Sequence, residues 1–306
     1  MEINQKEIVF KAPSRFTEQY AKDFLKSVEP IFRYKEKPIK NVNFYTKDVE
    51  RINIFGLLLL YKFFEYTVRK KLFESPHCDL FQSPYVKQEL ERYGLFKLIK
   101  DFVNIQFVPP QYNLQYKESG DFFIAPTVLT RSGKNEENDN IPNVSKYYSY
   151  DPKIASVLLL CLSEIKSNFK EHAVEDTKSI LMAKGNKKEF SMACADTGEG
   201  IISSFKGTKY DSLHRTDLLK KAIERNITSK ADSNHMGCGL WIVSEIARQN
   251  NGTMYIFSEG TYLSIREGKT RCGECGFWKG TIFYLNLPLS SKIKELSEII
   301  CNKNGK

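Results

Sequence analysis

Residues 163–172, S-E-I-K-S-N-F-K-E-H, decide the reading of this chain together with two glycine turns downstream, D-T-G-E-G-I at 196–201 and G-C-G-L-W-I-V at 237–243. Glu164, Asn168 and His172 stand four residues apart, so on a helix they project from one face, where a metal ion could be held. The glycine turns lack β-carbons and admit positive φ, which lets backbone amides approach a nucleotide or its phosphates. Each piece is weak alone; their order and spacing give the signal.

Working outward, apolar periodicity predicts a helix over 157–174 that carries the first piece, and a strand over 189–194 that leads into the second. A helix over 216–225 is expected in a polar insert. The third piece opens a helix over 240–249, stopped by Asn250, Asn251 and Gly252. Strands over 253–258, 261–266 and 281–287 then read as a meander. Further upstream, a strand at 7–11, a helix over 15–28, a strand at 42–45, an apolar helix after Gly56 and a helix over 85–93 ending at Gly94 make a smaller α/β unit. The division expected is a first domain over 1–125, a Tyr-, Asn- and Pro-rich linker over 126–147 with a strand at 122–125 just before it, a second domain over 148–290, and a tail over 291–306 with a short helix.

The chain has 306 residues, 41% hydrophobic and 27% charged, a globular composition with material for two cores. Its net charge of +9 comes from 46 Lys and Arg spread along the sequence with no arginine-rich arm or aromatic-basic motif, which disfavours nucleic acid. Seven mostly scattered cysteines argue for a reducing compartment. The first residues lack the basic segment and apolar run of a secretory signal, and no apolar stretch nears the roughly twenty residues of a membrane span. A cytoplasmic protein is expected. Cys272 and Cys275 form a C-x-x-C knuckle, read as a reduced hairpin tip, with zinc shared across a dimer as the alternative.

At its three motifs the chain resembles the GHKL superfamily of ATP-binding domains, named for gyrase, the heat-shock chaperone, histidine kinases and MutL. L-S-E-I-K-S-N-F-K-E-H-A is most similar to the asparagine-box helix of the anti-sigma-factor serine kinases, roughly L-x-E-x-x-x-N-x-x-x-H-A. The resemblance covers residues 148–290 and implies a Bergerat-type α/β sandwich: a mixed, mostly antiparallel sheet with helices on one face, and nucleotide held between the helices and a lid. By position it implies that Asn168 coordinates the Mg²⁺ bridging the phosphates of ATP, and that Glu164 polarises a water or a substrate hydroxyl. Asp196 would accept from the adenine amino group, with Gly198 and Gly200 letting the backbone pass the base and Thr281 reaching it from a late strand. Gly237 and Gly239 would offer amides to phosphate, with Lys230 as a lid contact. His172 is ambiguous between phosphate contact and packing. His235 replaces the first glycine of the family's G-x-G-x-G-L, a departure that bears on lid geometry.

Residues 38–100 resemble, more weakly, the STAS fold of sulfate transporters and anti-sigma-factor antagonists, through N-I-F-G-L-L-L-L and L-E-R-Y-G-L-F-K-L. Asn53, Ile54 and Phe55 stand where that family has Asp and its phosphoacceptor Ser, so phosphorylation there is not expected. These resemblances imply an ATP-binding regulatory protein and Mg-dependent ATPase whose nucleotide state controls partner or interdomain contacts, with a protein partner or homodimer and no membrane. The alternatives are a serine/threonine kinase of the anti-sigma type acting on a separate STAS partner, and a non-catalytic ATP-dependent scaffold. A histidine kinase is disfavoured, because none of the four histidines lies in a recognisable dimerisation helix.

Overall fold

The computed structural model describes residues 7–34, 39–77, 83–95, 121–129, 141–172, 179–228, 237–290 and 292–304. The architecture is mixed α/β and divides into two units: residues 1–119 with Gly276–Trp278, and residues 120–275 with 279–306. Among the described residues no helix is long and apolar enough to cross a membrane.

The first unit carries β1 (Glu7–Lys11), a two-residue β2 (Arg15–Phe16), α1 (Ala21–Arg33), β3 (Ile39–Tyr45), a two-residue β4 (Arg51–Ile52), α2 (Ile54–Arg69), β5 (Phe73–His77) and α3 (Pro84–Arg92). Its strands are parallel, in the order β1-β3-β5, with β2 and β4 as a separate parallel pair. The helix expected over 15–28 starts later and ends later. Arg15 and Phe16 are taken into the pair with β4, and the apolar stripe Phe24, Leu25, Val28 and Ile31 carries the helix past Pro30 to Arg33. Trp278 belongs to this unit's core, its ring centroid 5.0 Å from that of Phe32.

The apolar helix α2 is buried along nearly its whole length, and includes a buried Lys62–Glu65 ion pair. Asn53 caps it, its Oδ1 accepting from the Gly56 N–H at 3.2 Å while its Nδ2 donates to Glu18 Oε2 at 2.8 Å. Gly56 is needed for a different reason. A β-carbon there would fall 2.2 Å from the Phe16 carbonyl oxygen, backbone that cannot step aside. Gly56→Ala is therefore expected to destabilise the first unit by about 2–3 kcal/mol, read as a lowered midpoint in denaturant unfolding. A midpoint unchanged from wild type would show that β2 does not press on α2 as described.

The second unit carries β6 (Phe122–Leu129), α4 (Ile141–Tyr147), α5 (Pro152–His172), β7 (Ser179–Gly185), β8 (Glu189–Ala195), α6 (Ile201–Ser204), α7 (Arg215–Lys221), α8 (Gly239–Gln249), β9 (Thr253–Ser258), β10 (Thr261–Arg266), β11 (Lys269–Glu274), β12 (Thr281–Pro288) and α9 (Leu296–Asn304). The seven strands form one sheet in the order β11-β10-β9-β12-β8-β7-β6, every pair antiparallel. The sheet is thus uniformly antiparallel where a mixed one was expected. β6 and α4 lie in the stretch around the expected linker, yet β6 is the edge strand of this sheet, paired with β7 through a register shift between Ile124 and Thr127.

Alternate sheet residues, among them Leu181, Met192, Ile256, Leu263 and Phe283, share a core with Leu158, Cys161 and Ile165 of α5 and with Val243 and Ile246 of α8. α5 begins at Asp151, whose Oδ1 accepts from the N–H groups of Lys153 and Ile154. The hairpin tip expected around Cys272 and Cys275 is not there. Cys272 is in β11, opposite Leu263, and the turn is at Glu267 and Gly268, both with positive φ. Among the described residues no group of three or more His, Cys, Asp or Glu side chains could hold a metal ion.

Candidate functional site

The order of the large sheet sets up the site. β8 ends at Ala195, the chain leaves through α6, α7 and α8, returns as β9, and β12 then inserts between β8 and β9. Insertion brings Thr281 beside the turn that follows β8: the Asp196 N–H donates to the Thr281 carbonyl at 3.0 Å, and Thr281 is paired with Ser258. Sequence neighbours could not have revealed this pairing, because it joins residues 85 apart through a strand crossing.

Asp196 is 3% exposed, and its Oδ1 accepts from the Gly198 N–H at 2.7 Å, closing an Asx turn at the strand end. Gly280, with φ 90°, runs past it so closely that a β-carbon there would sit 2.3 Å from Asp196 Oδ1 and 2.9 Å from the Gly198 nitrogen. On α5, Asn168 Nδ2 donates to the Glu164 carbonyl at 2.8 Å, which orients the carboxamide and turns its Oδ1 to other partners. The N-terminus of α8 meets this face directly. A β-carbon on Gly239 would lie 2.6 Å from Glu164 Oε2 and 2.9 Å from Asn168 Nδ2.

Of the motif glycines, Gly237 alone has positive φ, at 63°, and its β-carbon position is blocked 2.7 Å from the Ile227 backbone. Gly200 and Gly239 are glycines for want of space, not for left-handed φ. Glu164, Asn168, Asp196, Gly237, Gly239 and Thr281 all line one cavity of about 300 Å³. Gly198 and Gly200 are not among its lining residues; they sit in the turn behind Asp196. Lys230 and His235 lie outside the described residues, as does the side chain of His172.

The floor and one wall are apolar, formed by Phe169, Ile201, Phe205, Ile242 and Phe283. Four carboxylates, Glu164, Glu171, Asp196 and Glu199, also border the cavity, and none of its described lining residues is Lys or Arg. Backbone N–H groups and a bridging cation are both suited to an anion beside these carboxylates. Asn168 Oδ1 suits such a cation, since Mg²⁺ takes hard oxygen ligands and few of them from protein. The cysteines divide by setting. Cys161, beneath Glu164, has its thiol pushed up by burial and further by that carboxylate, so it is inert, whereas Cys238 lines the cavity and donates to Asn226 Oδ1 at 3.3 Å.

Ser258, Glu259 and Phe205 belong to this neighbourhood without any sequence signal in the three motifs. The nearest clue was Glu259–Gly260 as a two-residue turn between predicted strands, and it says nothing of where the Glu259 side chain goes. The chain matches no protein-family model and no curated protein.

Proposed function

We propose that this protein binds ATP with Mg²⁺ in the cavity between α5, the turn after β8 and the N-terminus of α8, and hydrolyses it in a regulatory role. The observation that carries the reading is the convergence of Glu164, Asn168, Asp196, Gly237, Gly239 and Thr281, from four separate stretches of chain, on one cavity. A volume of about 300 Å³ is at the lower end of ligand pockets, roughly 300–1,000 Å³, and the mostly apolar lining with a few aimed polar groups is what such pockets have. On this reading the second unit is a Bergerat-type sandwich of the GHKL class, and the first a STAS-like domain.

Asp196 would receive the adenine amino group, next to Thr281. Asn168 would hold Mg²⁺ through Oδ1, and the ion, when bound, would neutralise charge building on the phosphates. Gly237, Cys238, Gly239 and Leu240, at the start of α8, line the same cavity, and their amides would suit phosphate oxygens. Glu164 would take the proton from an attacking water as its oxygen bonds to the terminal phosphorus and the bond to ADP breaks.

Phosphotransfer to a serine on a separate protein uses the same groups. In the first unit, Asn53 is committed to capping α2, and Ile54 and Phe55 in its first turn carry no hydroxyl, so the chain offers no acceptor at the serine position of that turn. Single-turnover reactions with ATP labelled in its terminal phosphate separate the outcomes. Free labelled phosphate is expected; label on a co-purified protein would establish the kinase, and neither, with binding intact, would leave a scaffold that uses ATP structurally.

A further inference from the structure

The corner at residues 258–260, between β9 and β10, lies outside all three motifs yet bonds to two walls of the cavity. Glu259 Oε2 accepts from the Ser203 N–H at 2.7 Å, its Oε1 accepts from the Ser203 hydroxyl, and its carbonyl accepts from the Arg215 guanidinium. Ser258 Oγ accepts from the Ile201 N–H at 2.9 Å and donates to the Gly280 carbonyl at 3.0 Å. Ile201, Ser204 and Phe205 line one side of the cavity and Thr281 another. α6 has four residues, far too few to hold its own position, so what fixes it comes from elsewhere in the fold.

Gly200 supplies the second observation. Its φ of −85° is open to any residue, but a β-carbon there would fall 2.4 Å from Glu259 Cγ and Oε2. The space this glycine leaves is filled by the Glu259 side chain.

We infer that Glu259 is a positioning residue for the cavity: it sets the α6 wall through Ser203, and Gly200 is a glycine in order to admit it and not to admit a ligand. The inference rests on the nucleotide reading above. It is tested by titrating Mg·ATP into wild type, Glu259→Ala, Glu259→Gln, Gly200→Ala and the Gly200→Ala/Glu259→Ala double variant, with steady-state ATPase kinetics on each.

Losing two hydrogen bonds to a charged acceptor is expected to weaken ATP about tenfold in Glu259→Ala, raising KM while kcat stays within about twofold. A loss of folded protein would instead lower kcat and leave KM alone. Glu259→Gln is expected to bind within about threefold of wild type, because its amide oxygen accepts from the Ser203 N–H and its amino group leaves the rest of the corner intact. Gly200→Ala is expected to weaken ATP at least as much as Glu259→Ala, and the double variant no more than Glu259→Ala alone, since the clash partner is gone. Should Glu259→Ala fail to fold, Ser203→Ala, which keeps the backbone bond, is expected to raise KM about threefold. Wild-type KM in folded Glu259→Ala or Ser203→Ala, or additive losses in the double variant, overturns the inference alone; a wild type that binds no ATP overturns the nucleotide reading and the inference with it.

Discussion

Replacing Asp196 by alanine is expected to weaken ATP by at least about 100-fold while leaving the second unit folded. The carboxylate is 3% exposed, borders the cavity and closes the turn onto Gly198, so alanine removes both the group that would receive the adenine amino hydrogen and the turn that aims it. A buried hydrogen bond to a charged group contributes about 1.5–3 kcal/mol, and a pocket built around such a bond discriminates still more strongly against its loss. Asp196→Asn separates the two effects. Its Oδ1 can still accept from the Gly198 N–H, but its amino group presents a donor where adenine also presents one. Calorimetric titration should therefore show Asn nearly as damaging as Ala for ATP, with a smaller change in thermal midpoint. If both variants bind ATP as wild type does, the carboxylate does not recognise the base.

Glu164→Gln should abolish turnover and spare binding. The amide is isosteric and fits the same seat against Gly239, where Oε2 lies 2.6 Å from the position a β-carbon would take. What it loses is the ability to accept a proton. Removing a general base typically costs about 10²–10⁴-fold in rate, so kcat should fall by that range while the ATP dissociation constant moves by less than about threefold. Unchanged kcat would remove Glu164 from the chemistry.

The residues that made the site legible are those whose spacing is local. Glu164 and Asn168 four apart on a helix, Asp196 at a strand end and Gly239 at a helix start each announce themselves within a short window, and all four line the cavity. β7 and β11 did not announce themselves, for opposite reasons. S-I-L-M-A-K-G is an apolar run without alternation, which periodicity alone cannot tell from a helix segment. K-T-R-C-G-E is a polar edge strand with little apolar pattern of its own, and it exists because β10 offers a ladder across a tight turn.

The same logic explains the glycines. The resemblance implies that Gly198 and Gly200 let the backbone pass the base; in the structure the Gly198 N–H donates to Asp196 and Gly200 packs against Glu259. Glu259 itself is 56 residues from Ser203, and only folding of the sheet brings the two together. Likewise the helix boundary beyond Pro30 was set by burial of Ile31, which outweighs the missing N–H of proline.

A calorimetric titration of Mg·ATP into the full chain tests nucleotide binding most directly. Saturable binding at one site per chain, abolished or weakened at least about 100-fold by Asp196→Ala, is the predicted result. No saturable binding at millimolar Mg·ATP, or binding indifferent to Asp196→Ala, would contradict it.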